Sequence, residues 1–98
     1  TAEINYHRSY PVTINAREQT DFAAEVAEAV NGQVLRDLPP VLAAEDFSYM
    51  LEQRPGSYIM LGNGDGAMLH HPEYDFNDEA IPAGCSWFAE LVEKRMPV

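Results

Sequence analysis

Apolar and polar positions alternate at the start of the chain, with Tyr6, Tyr10, Val12 and Ile14 on even positions, and this period of two predicts a strand over residues 2–10. No hairpin partner follows it. Pro11 breaks the run, and Asn15-Ala16-Arg17-Glu18 then has the form of a capping box, an N-cap side chain with a glutamate three residues later. In the helix that should follow, Phe22, Ala23, Val26 and Val30 share one face, Asp21, Glu25 and Glu28 occupy the others, and Asn31-Gly32 supplies a left-handed stop. Residues 33–38 are compatible with a short strand, after which Pro39-Pro40 forces an extended connection.

A second amphipathic run, with Phe47, Met50 and Leu51 on one face, is headed by Glu45-Asp46 and ended by Arg54-Pro55-Gly56. Residues 57–61 are apolar and almost unbroken, the pattern of a strand buried on both faces. In the last predicted helix, capped by Asn77 or Asp78, Pro82 is tolerated because it lies in the first turn. Ile81, Cys85, Phe88, Leu91 and Val92 form its apolar stripe, with Glu90, Glu93, Lys94 and Arg95 outside. This order of elements predicts an α/β fold, a layered sheet with helices.

Between residues 61 and 80 the periodicity stops. The stretch 62–79 holds Gly62, Gly64 and Gly66, the adjacent pair His70-His71, Pro72 and a scatter of acids, and reads as a long loop carrying chemistry. Because proline disfavours helix for the residue before it, His71-Pro72 predicts an extended segment, on which the two imidazoles point opposite ways. At most one of them is then a metal ligand, and two packing or surface histidines are the competing reading. Glu45 and Asp46 have two readings as well: a carboxylate pair working at a cleft, or acids that meet the positive end of a helix dipole.

Composition narrows the classes. The 98 residues suffice for one small domain, and no apolar run approaches the roughly 20 residues that span a bilayer. Sixteen acidic against six basic residues give a formal charge of −10, which repels phosphate backbones and anionic lipid, so neither nucleic acid nor membrane is an expected partner. The first residues lack the basic start and apolar centre of a signal peptide. Cys85 is the only cysteine; it excludes an internal disulfide and a Cys-based zinc cluster, suits a reducing, cytoplasmic compartment, and reads as inert core on the last helix. Asp65, Asp75, Asp78 and Glu79 lack the ligand pattern of an EF-hand and read as turn and cap residues, and His7 has no evident partner. Neither a Gly-x-Ser-x-Gly elbow nor a phosphate-binding glycine loop is present.

Three motifs, taken together and in order, resemble the C-terminal end of the metal-dependent amidohydrolases that include hippurate hydrolase, the indoleacetyl-amino-acid hydrolases and the aminoacylase and carboxypeptidase G-type peptidases. They are Tyr10-Pro11-Val12-Thr13-Ile14-Asn15, then Ala44-Glu45-Asp46-Phe47-Ser48, then Leu69-His70-His71-Pro72 running on to Asp75-Phe76-Asn77-Asp78-Glu79-Ala80-Ile81-Pro82. The resemblance implies the C-terminal portion of a di-metal peptidase-like catalytic domain, which in the family is interrupted by a lid domain that mediates dimerisation. Residues 1–10 would be the lid's last strand and residues 11–98 the C-terminal portion of the catalytic domain.

On the same resemblance His70 is the last metal-binding histidine, and Glu45 and Asp46 are supporting residues near the substrate cleft. No catalytic residue is expected in this chain, because the catalytic glutamate and the other ligands lie upstream in the family. Two divalent metals per complete site (zinc, manganese, cobalt or nickel) and an N-acyl amino acid substrate are implied. So are two partners, the upstream part of the same enzyme and a second copy in a homodimer. Two departures stand out: Ala43 where relatives carry glycine, and His71 where Ser or Asn is commoner. An independent acidic metal-binding or interaction module, without catalysis, is the alternative.

Overall fold

A computed structural model describes residues 1–97. Three helices are formed: α1 (Arg17–Asn31), α2 (Phe47–Gln53) and α3 (Ala80–Arg95). Among the described residues there is no strand, so the expected layered α/β sheet is not what this chain builds. The physical reason lies in hydrogen-bond supply, since an isolated strand satisfies its backbone only against a neighbour and even a two-stranded ribbon is marginal in water. Residues 1–10 are exposed throughout and have no regular structure. Residues 57–61, expected to be buried on both faces, instead leave Met60 65% exposed and Leu61 48% exposed.

The helices begin and end for local reasons. α1 is preceded by Ala16 with extended backbone (ψ 131°), and the predicted capping box does not form. Asn15 is engaged elsewhere, and the side chain of Thr20 donates back to the Ala16 carbonyl at 2.8 Å. Gly32 stops the helix as anticipated, with φ 72° and its N–H donating to the Glu28 carbonyl at 2.7 Å. α3 starts where Asn77 accepts the Glu79 N–H on its side-chain oxygen (3.0 Å) and the Ala80 N–H on its carbonyl (2.9 Å). It ends on Lys94 and Arg95, which suit the negative end of the helix dipole.

The core is the α1–α3 contact. Ala23, Ala24 and Val26 of α1 and Ala80 of α3 are buried, Val26 completely. Small side chains on α1 let α3 approach, and the Trp87 indole N–H donates to the Ala23 carbonyl at 3.0 Å. At the far end Arg95 lies over the Phe22 ring (5.4 Å to its centroid) and 3.8 Å from the Glu18 carboxylate. The face of α3 that packs on α1 is therefore not the predicted stripe, of which Ile81, Phe88 and Val92 stay 48%, 65% and 53% exposed. Leu61 rests close to α3, its Cδ2 lying 3.4 Å from where a Cβ on Gly84 would sit. Shape reflects the unpaired arm: the radius of gyration is 16.8 Å, against about 13 Å for a compact chain of this length.

Candidate functional site

The loop of residues 62–79 is built by turns. Gly64 adopts φ 82°, which only glycine does without strain, and the chain bends just after it at Asp65 and Gly66. The Asn63 carboxamide then reaches across the loop, donating to the Asp75 carbonyl and accepting the Asn77 N–H, both at 2.8 Å. Further along, His71 N–H donates to the Met68 carbonyl and Tyr74 N–H to the His71 carbonyl, each at 3.0 Å.

His70 sits in the first of these turns with φ 69°, the one non-glycine residue with positive φ among the described residues. Histidine tolerates this region better than most side chains, yet such a conformation still costs of order 1–3 kcal/mol. The expected extended segment is thus replaced by a turn, and simple alternation does not separate the two imidazoles. Hydrogen bonding does. His71 Nδ1 accepts the Glu73 N–H at 3.1 Å, which leaves the ring proton on Nε2. The exposed His70 ring makes no hydrogen bond among the described residues, so either nitrogen, one at a time, can offer its lone pair to a ligand.

Glu45 is engaged at every oxygen. Its Oε1 accepts the Phe47 N–H at 3.1 Å, its Oε2 accepts the Tyr58 hydroxyl at 3.0 Å, and its carbonyl accepts the Ser48 hydroxyl at 2.6 Å. The Phe47 N–H, followed by the Tyr58 hydroxyl, holds the Glu45 carboxyl below its ordinary pKa, and the same bond pushes the Tyr58 phenol up. These bonds favour the ionised form of Glu45. Asp46 is exposed and makes no side-chain cap to α2; its carbonyl accepts the Tyr49 N–H at 3.0 Å. Of the two acids, Glu45 alone meets the amide groups at the head of α2.

Neither Asn15 nor Tyr58 stood out as a joining residue in the sequence. Asn15 donates to the Tyr58 carbonyl and accepts the Tyr58 N–H, both at 2.8 Å. Tyr58 thereby connects the Tyr10–Asn15 motif to the Ala44–Ser48 motif, and Asn63, five residues on, closes the histidine loop. The signal available was the position of Asn15 and Asn63 beside unpaired extended segments, where a carboxamide can replace a missing backbone neighbour.

No group of three or more His, Cys, Asp and Glu side chains able to hold a metal ion occurs among the described residues. A zinc site takes three or four protein donors, and His70 is one exposed donor. Cys85 is exposed rather than core, and His7 lies on the exposed arm. An open apolar groove of about 550 Å³ runs along α2 between Phe47 and Gly56, but neither of the paired histidines nor any acid lines it.

Compared with known proteins, residues 1–94 match the family described as peptidase family M20/M25/M40, and the chain belongs to that family. It is 35% identical over 94 residues to the hippurate hydrolase of Campylobacter jejuni, an alignment covering 94% of this chain and 24% of that enzyme. With the N-acetyl-L-cysteine deacetylase of Bacillus subtilis it shares 32% identity over 95 residues, 97% of this chain and 22% of the relative. With IAA-amino acid hydrolase ILR1-like 2 of Arabidopsis thaliana the figures are 29% over 92 residues, 89% and 21%. The chain thus spans about a quarter of the length of the curated relatives it matches. No solved structure matches it.

Proposed function

We propose that this chain is the C-terminal part of a metal-dependent amidohydrolase that cleaves the amide bond of N-acyl amino acids, N-benzoyl amino acids among them. The family and the printed names of its relatives support hydrolysis of acylated amino acids. The observation that carries incompleteness is burial: among the described residues Val26 and Ser48 alone are fully buried, while Ile81, Phe88, Val92 and Met60 remain open. An independent module would leave that much apolar surface in water, whereas a part of a larger body has it covered.

In this reading residues 1–10 belong to a lid domain and residues 11–98 to the catalytic domain, whose upstream part covers the open faces. His70 would give one imidazole to a pair of divalent ions, zinc, manganese, cobalt or nickel, completed by upstream donors. Glu45 and Asp46 would support the cleft. Residues 1–10, which form no backbone ladder among the described residues, would pair with a second copy. No helix among the described residues is long and apolar enough to cross a membrane.

The test is turnover. The chain incubated with zinc, manganese, cobalt or nickel and hippurate is expected to be inactive, and the same chain joined to the upstream region of its own polypeptide is expected to be active. Metal-dependent hydrolysis by the chain alone, clearly above a His70→Ala control, would overturn the proposal.

A further inference from the structure

His70 stands on a left-handed turn in a largely exposed loop. Met68, Leu69 and Phe76 are all exposed, and across residues 68–76 only Tyr74 is half-buried, so packing holds the loop at one side chain. Its ends lie 14 residues apart, between Asn63 and Asn77. Closing that span has an entropic cost that must be met by contacts between the ends.

We infer that Asn63 is a positioning residue for His70, closing the histidine loop through both ends of one carboxamide. Its Nδ2 donates to the Asp75 carbonyl and its Oδ1 accepts the Asn77 N–H, each at 2.8 Å. Asparagine suits the place because it presents a donor and an acceptor side by side, as a backbone peptide unit does; aspartate would offer acceptors only. The following residue makes the reach possible. Gly64 turns the chain with φ 82°, and the Asn77 side chain lies over it, 3.8 Å from where a Cβ would be. Asn77 itself is tied on its other side to the start of α3, through Glu79 N–H at 3.0 Å. Asn63 therefore fastens the loop to the head of α3, which packs on α1. His70 is held between a glycine hinge and this fastening.

That His70 is the residue worth holding rests on the amidohydrolase reading; the fastening itself does not. The experiment uses this chain and needs neither metal nor substrate. Amide exchange and backbone order parameters are measured by NMR for the wild type, Asn63→Ala, Asn63→Asp and Asn77→Ala. Asn63→Ala is expected to speed exchange of the Asn77 amide by roughly tenfold, the equivalent of one lost hydrogen bond. It should also lower order parameters across residues 65–75, His70 included, from the rigid range near ~0.85 toward ~0.6. Asn63→Asp should keep the Asn77 amide protected, since a carboxylate oxygen still accepts it, while Asp75 loses its donor. Asn77→Ala should fray the first turn of α3 and leave the loop order unchanged, because its backbone N–H is retained.

Unchanged order at His70 in Asn63→Ala would overturn the inference, and so would equal acceleration of exchange throughout α1 and α3, which would make Asn63 a general stability residue. If the loop loosens as expected but His70→Ala leaves the joined enzyme active, the fastening stands and the hydrolase reading of His70 falls.

Discussion

Asn15 grips the main chain of Tyr58 from both sides, its carboxamide donating to the Tyr58 carbonyl and accepting the Tyr58 N–H at 2.8 Å each. Beside it, Ala16 N–H donates to the Gly56 carbonyl at 2.9 Å. One side chain thus does the work of a strand neighbour, and it brings together segments 43 residues apart in the sequence. The same carboxamide device recurs at Asn63.

Substituting this residue should therefore loosen the junction of α1, α2 and residues 57–61 without touching the α1–α3 core. Asn15→Ala removes two exposed hydrogen bonds and is expected to lower stability by about 1–2 kcal/mol, read as a shift in the urea midpoint at constant slope. Asn15→Asp keeps only the acceptor and should lose less. A midpoint unmoved by Asn15→Ala would mean that solvent replaces both bonds at no cost.

The Glu45–Tyr58 pair sets a pH dependence with a definite sign. Glu45 has its folded pKa depressed below 4.5, so its contribution to stability is present above that value and is lost as pH falls through the folded pKa. Tyr58 has its folded pKa raised above 10.0, so its contribution is present below that value and is lost as pH rises through the folded pKa. Carboxyl carbon NMR across the acid range should show Glu45 titrating low in the wild type and closer to its ordinary value in Tyr58→Phe. Its titration should remain partly depressed there, because the Phe47 N–H is untouched. Identical curves in the two proteins would show that the phenol does not bind the carboxylate.

In the joined enzyme His70→Ala is expected to abolish most hydrolysis and to weaken metal retention, measured as metal per protein after dialysis. His71→Asn should have a modest effect, since the His71 ring already spends Nδ1 on the Glu73 amide and an asparagine oxygen can accept in its place. Equal losses from the two would put the donor on the wrong imidazole.

Exposed residues 1–10, with Ile4 and Tyr6 uncovered, should make the isolated chain self-associate at high concentration through backbone pairing of this arm. Sedimentation over a range of concentrations checks this, with a variant lacking residues 1–10 as control. A strictly monomeric chain whose arm amides are nonetheless protected from exchange would rule it out.

The three helices could be read from the residues because each carries its information locally. Phe22, Ala23 and Val26 repeat at helical spacing, Gly32 marks a stop, and Pro82 is compatible with helix only near its start; α1 and α3 form where these signals place them. The histidine loop was equally plain, since glycines, a proline and an adjacent His pair suit no regular element. The family motifs were legible too, being short runs of residue identity that need no partner to be recognised.

What required tertiary structure was every feature that depends on a neighbour far along the chain. Alternation at residues 2–10 and an apolar run at 57–61 describe surfaces that would suit a sheet, but a ladder forms only where a second strand is at hand, and none is among the described residues. The stripe on α3 named its apolar residues without saying which of them α1 would meet; the alanines of α1 admitted Trp87 and left Phe88 and Val92 outside. Asn15 reads locally as a helix cap, and the distant backbone of Tyr58 takes its carboxamide instead, offering two hydrogen bonds where the cap offered one. His70 was marked by its motif, but its left-handed turn and the grip of Asn63 on the loop arise from closing a chain on itself, which residue identity along a line does not encode.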